Sequence, residues 1–493
     1  MAPNDTHADA QSNPSSKFPL CVDLDGTLIK TDTMIEGFFK LCRTHLFKAL
    51  MAPFWLLRGR AYFKDKIFTH VKLDFDTLPY NEELLKFLHE EKQGGRELWL
   101  VTGASERVAK QVAERVGLFS RVLSSDRTTN LTGRKKARLL TELLGRKKFA
   151  YVGDSYVDLR VWKRAAEAYV VAPHFGLEAR VARLCSITKV FPTKGNFLHL
   201  LVRSLRVHQW SKNILIMAPV ILAHRLDDLP VMLNAFHAMI AFSLVSSSVY
   251  LLNDMLDLEA DRRHPDNKRR PFASGDLALL WGFLLTPVFL GLGLTAAWAL
   301  SIKFLKVVLW YYITTLAYSI NLKQVVLADI IILACLYAWR LIAGSTATEV
   351  VLSNWFLVFA GFFFLSLALI KRCSELILIE KLEQRKSPRR GYAVGDLHQL
   401  ESFGSASGYI SVLVLALYIN NSEQVTMLYK HPNYLLWMCP LLLYWISRMW
   451  LKAHRGKMYT DPLVFALKDR VSYVMIGAMG FVWLLATGLF PLK

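Results

Sequence analysis

The chain has 493 residues, a formal net charge of +20 and 53% hydrophobic residues, with a mean hydropathy of +0.28. That length exceeds one ordinary core and fits two domains. The basic residues punctuate long apolar runs, which excludes a nucleic-acid binder and points to an anionic membrane face and a phosphorylated substrate. Cys21, Cys42, Cys185, Cys335, Cys373 and Cys439 form no CxxC pair and no disulfide framework, and read as isolated thiols.

The first residues, MAPNDTHADAQSNPSS, are polar and lack an apolar signal-peptide core. Residues 1–16 are therefore expected to be a disordered tail, with the domain that follows in the cytoplasm. Residues 17–194 read as a soluble α/β domain. KFPLCVDLDGTLIKTD is a buried strand that ends in Asp23 and Asp25, with Gly26 at the turn. ELWLVTGAS is a second strand delivering Thr102, and KKFAYVGDSYVDLRVW a third delivering Asp154, with Asp158 four residues on. Strands that place polar residues at their carboxyl ends fit a parallel sheet with a ligand across those ends. Carboxylates from the first and last of them could bind Mg2+ and leave Asp23 to attack phosphorus.

DLDGT, the VTG strand end, a lysine in NLTGRKKA and GDSYVD together resemble the four motifs of the haloacid dehalogenase superfamily, over Pro19 to Phe175. The resemblance implies a Rossmannoid phosphatase with Asp23 as nucleophile and Asp25 as general acid/base. Thr102 would hold a phosphoryl oxygen and Lys136 would balance the phospho-aspartate charge, with Lys135 the alternative one residue away. Asp154 and Asp158 would hold Mg2+. About residues 32–79 would form the family's helical cap. Its FFKLCRTHLFKALMAPFWLLRGRAYFKDKIF stretch mixes aromatic and basic residues. It either packs on its own domain or leans on a bilayer surface.

Residues 195–493 read as an all-α membrane domain. Apolar segments at about 213–225, 236–252, 281–299, 305–320, 325–343, 354–370, 407–419, 434–447 and 472–490 predict nine transmembrane helices. With the amino terminus inside, the inner loops take Arg262 to Arg270, Lys371 to Arg390 and Arg448 to Arg470, which obeys the positive-inside bias. An integral inner or cell membrane protein is expected.

After the second of these segments comes NDMLDLEADRRHPDNKRRP. If the helix continues, Asp254, Asp257 and Asp261 share one face. Carboxylates at a membrane surface suit a divalent metal held against a diphosphate, and Arg262, Arg263, Lys268, Arg269 and Arg270 supply phosphate ligands. Further polar groups expected on the inner side include Lys212 in LRVHQWSKN, Tyr318, Lys323 and Asp329 in YSINLKQVVLAD, and Arg340 inside a span. Lys371, Arg372 and Glu375 in KRCSEL, and Asp461, join them.

NDMLDLEAD with KRRP, and LRVHQWSKN, resemble the UbiA-type intramembrane prenyltransferases over about Arg203 to Leu492. YSINLKQVVLAD holds one aspartate where that family carries a second acidic pair. YSINLK, KRCSEL and the tail from YWISRMW resemble instead the decaprenyl-phosphate phosphoribosyltransferase branch. The resemblance implies transfer of 5-phosphoribosyl from phosphoribosyl pyrophosphate to a polyprenyl phosphate, in the setting of cell wall biosynthesis. Asn253, Asp254, Asp257 and Asp261 would hold Mg2+ on the donor diphosphate, with Arg262, Lys268 and Arg269 on donor phosphates. Lys212, Lys323, Arg340, Lys371 and Arg372 would hold the lipid phosphate, and Tyr318, Asp329, Glu375 and Asp461 would line the pocket. The phosphatase would remove the product's 5-phosphate. The alternatives are an aromatic prenyltransferase using a polyprenyl diphosphate, and a membrane scaffold with a phosphate-binding domain.

Overall fold

The computed structural model describes residues 18–172, 176–192, 195–381, 391–458 and 461–488. The expected tail, residues 1–16, and most of the basic stretch before Arg390 lie outside these. The chain divides into two compact units, Met1–Ser204 with Asp254–Gly282, and Leu205–Asn253 with Phe283–Lys493.

The first unit is built on a six-stranded sheet: β1 (Leu20–Val22), β2 (Leu98–Ser105), β3 (Arg121–Ser125), β4 (Ala150–Gly153), β5 (Glu167–Val171) and β6 (Ser186–Phe191). Its order is β3-β2-β1-β4-β5-β6, and every pairing is parallel. β1 lies in the middle and is only three residues long, all buried, as a strand covered on both faces must be. Val22 pairs with Leu100 on one side and Val152 on the other. That register brings the segments after β1, β2 and β4 out at one edge. There Gly26 turns the chain at φ +75, where a Cβ would come within 2.3 Å of the Asp154 carboxylate.

Four helices follow β1: α1 (Thr33–Thr44), α2 (Leu46–Ala49), α3 (Ala52–Leu57) and α4 (Arg60–His70). Asp32 caps α1 by accepting from the backbone N–H groups of Met34 and Ile35. The segment Asp254–Gly282 packs with these helices. Arg262 donates to both oxygens of Glu36 on α1, at 2.5 and 3.0 Å, in a pair that is almost completely buried. Arg43 of α1 pairs with Asp257 at 3.1 Å, Arg263 with Asp74 at 2.5 Å, Lys30 with Asp276 at 3.2 Å, and Lys40 with Glu259.

The second unit is all-helical, but it does not contain nine helices that could each cross a bilayer. Among the described residues six are long and apolar enough: Leu229–Leu256, Leu279–Leu300, Ala328–Thr348, Asn354–Glu380, Val394–Asn421 and Arg470–Thr487. The expected spans at 213–225, 305–320 and 434–447 fall short for identifiable reasons. The first is 3-10 helix from Val207 to Met217 and then the five-residue helix Ala218–Leu222, started by Pro219. Ile302–Ile320 is a regular helix, but Lys303, Lys306, two threonines, three tyrosines and a serine dilute its apolar face. The third is divided between 3-10 helix Pro432–Trp437 and the 17-residue helix Met438–His454. Small residues let the long helices approach. A Cβ on Gly404 would lie 2.0 Å from the Trp450 ring, and one on Gly344 2.2 Å from the Ile216 carbonyl oxygen.

Candidate active sites

Two side-chain clusters stand out, one in each compact unit, together with the acidic segment Asp254–Arg270. In the first unit, the edge of the sheet gathers Asp23, Asp154 and Asp158, whose carboxylate oxygens lie within 4.8 Å of one another. Lys136, on helix Arg134–Leu144, donates to Asp23 Oδ2 at 2.7 Å and to the Tyr151 hydroxyl at 2.8 Å. It is Lys136, not Lys135, that reaches the carboxylates. Tyr151, from β4, donates to Asp158 at 2.8 Å. Asp158 also accepts from the backbone N–H and the hydroxyl of Ser155. Thr27 donates to Asp154 at 3.0 Å. Thr102 is wholly buried within β2, which runs three residues past it, and its hydroxyl oxygen accepts from the backbone N–H of Ala104 at 2.9 Å.

The electrostatics follow from burial. Desolvation raises the Asp23 carboxyl above its ordinary range even against the opposing charge of Lys136. Asp154 is pushed well above it by burial and then by the like charges of Asp158 and Asp23. Burial, followed by the neighbouring Asp32 carboxylate, pushes Asp25 up to about 7, although the Thr33 backbone N–H donates to it at 2.9 Å. Burial works against the Lys136 ammonium, but Asp23 and Asp158 outweigh it and hold it above the usual lysine value. Three crowded carboxylates with one lysine leave an excess of negative charge in a largely buried site. An oxygen-only donor set of that kind suits a hard divalent cation such as Mg2+.

The acidic segment takes a different form from the one its spacing predicts. The helix does not run on through the aspartates: Leu229–Leu256 stops, and helix Leu258–Arg263 restarts after Asp257. Asp254 and Asp261, both buried, accept from the same nitrogen of Arg270 at 3.1 and 2.8 Å. Asp257 pairs instead with Arg43. Arg262 is held by Glu36 and by the Ala273 carbonyl, whereas Lys268 and Arg269 lie exposed on a 3-10 turn. Asn253 keeps a buried side-chain oxygen with no hydrogen-bond partner among the described residues.

In the second unit, Asp461 is the meeting point. It accepts from Lys212 at 2.7 Å, Tyr337 at 3.1 Å and Lys371 at 3.2 Å. Burial and the neighbouring Lys371 push the Lys212 ammonium down to about 8. Burial opposes ionisation of Asp461, yet Lys371 and Lys212 hold its carboxyl well below the usual range. Two cations on one carboxylate leave a net positive charge. Arg340 lies beside this cluster, donating to Asn213 at 2.9 Å and stacking against Phe242, Tyr311 and Tyr337. Arg372 is drawn elsewhere, to Asp329 at 2.6 Å, Glu375 at 2.5 Å and the Tyr318 hydroxyl at 3.3 Å. Tyr392 donates to the other Asp329 oxygen. Lys323 is buried on the 3-10 turn Leu322–Gln324.

Sequence reasoning missed Tyr151, Tyr337 and Glu36, whereas Asn213 stands in LRVHQWSKN, already expected among the inner polar groups. Tyr151 carried a readable signal, because it stands three residues before Asp154 on a buried strand. Tyr337 and Glu36 are ordinary residues until the fold brings their partners to them.

Comparison with known proteins places these clusters in context. The model of the UbiA prenyltransferase family matches residues 214–461, and that of the haloacid dehalogenase-like hydrolases residues 20–163. An uncharacterized protein, y4nM, from Sinorhizobium fredii is 34% identical over 473 residues, covering 94% of this chain and 90% of that protein. The decaprenyl-phosphate phosphoribosyltransferase of Mycobacterium tuberculosis is 37% identical over 192 residues, 38% of this chain and 63% of that protein. A UbiA homolog from Archaeoglobus fulgidus, solved bound to GPP and Mg2+, superposes with a TM-score of 0.45 at 17% identity, over 57% of this chain and 99% of that one.

Proposed function

Because the chain belongs to the UbiA prenyltransferase family, related to decaprenyl-phosphate phosphoribosyltransferases, and carries a haloacid dehalogenase-like hydrolase domain at its amino terminus, we propose that it is a two-step enzyme. Its membrane part transfers 5-phosphoribosyl from phosphoribosyl pyrophosphate to a polyprenyl phosphate. Its soluble part, facing the cytoplasm, then removes the 5-phosphate from the lipid-linked product. The observation that carries the reading is the Lys136–Asp23–Asp154–Asp158 cluster, a lysine and carboxylate set suited to phosphoryl transfer, in a chain whose other half resembles an enzyme named for a phosphoribosyl transfer.

In the transfer, an oxygen of the lipid phosphate attacks the anomeric carbon of the ribose and the diphosphate leaves. The attacking oxygen is already an anion at neutral pH, so no side chain has to remove a proton. Asn253, Asp254, Asp257 and Asp261 are assigned to the Mg2+ of the donor diphosphate, with Arg262, Lys268 and Arg269 near its phosphates. The positive cluster of Lys212 and Lys371, with Arg340, is assigned to the lipid phosphate. Lys323 is assigned to the same phosphate, and Arg372, which Asp329 and Glu375 hold, is assigned to the wall of the pocket.

In the hydrolysis, an Asp23 oxygen attacks phosphorus and takes the phosphoryl group while Asp25 protonates the departing ribose oxygen. Lys136 balances the charge that Asp23 acquires, and Thr102 holds a phosphoryl oxygen. Asp25, now ionised, takes a proton from water as that water attacks the phospho-aspartate and releases phosphate. Mg2+, held by Asp23, Asp154 and Asp158, would neutralise the phosphoryl oxygens.

The test is incubation of the purified chain with Mg2+, a polyprenyl phosphate and phosphoribosyl pyrophosphate labelled in the ribose, followed by mass analysis of the lipid fraction. Labelled lipid without the 5-phosphate is expected, replaced by the phosphorylated form in Asp23→Asn. Absence of labelled lipid from folded protein, across several chain lengths, would overturn the donor assignment.

A further inference from the structure

The cap helices α2 and α3 carry an amphipathic pattern turned inside out. Their smallest residues point inward: Ala49 and Ala52 are buried in the core of the soluble unit, with Trp55 packed partly against it. Their largest apolar residues point outward. Phe47 is 85% exposed and Leu57 84%, and Leu46, Leu50, Met51, Phe54 and Leu56 are all exposed with them. The stripe Phe47–Leu50–Phe54–Leu57 has helical spacing, so it forms one continuous apolar face. A water-facing helix has no reason to bury alanine and expose phenylalanine, and contiguous patches of this kind mark a binding surface.

The charges around the face identify what covers it. From Gly37 to Lys64 the chain contains six lysines or arginines and no acidic residue. Lys40, Arg43 and Lys64 are used internally, by Glu259, Asp257 and the Gly103 carbonyl. Lys48, Arg58 and Arg60 are exposed, and among the described residues none of the three pairs with a carboxylate. A protein partner of matching chemistry would have to offer both a large apolar pocket and acidic groups around it. An anionic phospholipid surface offers both by nature: acyl chains for Phe47, Leu50, Phe54 and Leu57, and phosphates for the cations around them. The chain already carries helices long and apolar enough to cross a bilayer, so that surface is at hand.

We propose that α2 and α3 form an interfacial membrane foot, by which the cap of the soluble unit inserts its apolar face into the cytoplasmic leaflet. The foot holds the cap at the height where a lipid-linked phosphate emerges from the bilayer. The insertion itself does not depend on the identity of the substrate.

Photoreactive benzoylphenylalanine placed at Phe47 or at Leu57, in the full chain reconstituted into phosphatidylcholine–phosphatidylglycerol vesicles, tests this directly. Irradiation is expected to give phospholipid adducts at both positions, as at Trp298 on the membrane helix Leu279–Leu300, which is 66% exposed. None is expected at Leu143, an exposed apolar residue of the same soluble unit outside the cap. Replacing Lys48, Arg58 and Arg60 together by Glu should lower the adduct yield at Phe47 several-fold while leaving that at Trp298 unchanged. Adducts to a second copy of the chain, or no lipid adduct at 47 and 57 while Trp298 labels normally, would overturn the proposal. Neither result would touch the proposed transfer and hydrolysis, which the labelled-ribose assay reads separately.

Discussion

Asp23 and Lys136 share a hydrogen bond in a largely buried site, and each depends on the other. Removing one member of a buried pair strands the other as an uncompensated charge, at a cost of about 3 to 5 kcal/mol. Lys136→Met is therefore expected to abolish phosphomonoester hydrolysis and also to lower the unfolding midpoint of the soluble unit. Asp23→Asn should abolish hydrolysis with a smaller loss of stability, because the amide oxygen can still accept from Lys136 and Asp158 lies 3.9 Å from the ammonium, and calorimetry beside a phosphate-release assay separates the two. Asp25 offers a pH test. Its carboxyl is pushed up to about 7, first by burial and then by Asp32. As the group that protonates the leaving oxygen it must be neutral, so kcat/KM for a poor leaving group should fall as pH rises through about 7. Asp32→Asn removes the like charge and can still accept hydrogen bonds at the start of α1, so the alkaline limb should move to lower pH. An unmoved limb would rule out Asp25 as the titrating group. Asp23, Asp25 and the carboxylates after β4 were legible in the sequence, because each sits at a strand end within a short local pattern. Tyr151 was legible only as a position three residues before Asp154 on a buried strand; its role was not, because its hydroxyl matters only once Asp23 and Asp158 are brought to it across the sheet.

At the scale of elements, α1 links two chemistries. Its first residue donates its backbone N–H to Asp25, and its body carries Glu36, Lys40 and Arg43, which bind the segment from Asp257 to Arg262. Arg262→Met is expected to destabilise the first unit by about 3 to 5 kcal/mol, because it leaves the Glu36 carboxylate buried alone. The double change Glu36→Leu with Arg262→Leu should recover much of that loss, since a buried pair replaced by apolar groups costs far less than a broken one. Thermal unfolding of the detergent-solubilised chain measures both, and equal loss in the single and double variants would deny the pairing its role. The sequence placed Arg262 among phosphate ligands because it lies in a run of cations. The fold gives it a partner 226 residues earlier in the chain. The span count differs from the expected nine for a related reason. Apolar composition marks a segment as membrane-compatible, but Pro219, Lys303, Lys306 and the 3-10 turn at Pro432 decide whether it becomes a helix both long and apolar enough to cross.

For the whole molecule, the two proposed activities should separate cleanly by mutation. Asp254→Asn is expected to stop formation of labelled lipid while leaving hydrolysis of a small soluble phosphomonoester intact, and Asp23→Asn to do the reverse. Chelation of Mg2+ should stop both, with recovery on adding it back. A single variant in either set that removed both activities without unfolding the chain would argue against two independent centres. The sequence by itself determined the division into a parallel α/β part and a helical membrane part, the strand-end carboxylates of the hydrolase and the acidic segment after the helix ending at Leu256. All of these are written in patterns a few residues long: buried strands that stop at polar residues, and apolar runs bounded by charge. Only the tertiary structure decided which charges are spent on one another. Arg372 is committed to Asp329, Arg270 to Asp254 and Asp261, and Lys212 with Lys371 to Asp461. A charge in a low-dielectric interior takes the partner that the fold brings within hydrogen-bond reach, and that partner can stand hundreds of residues away along the chain.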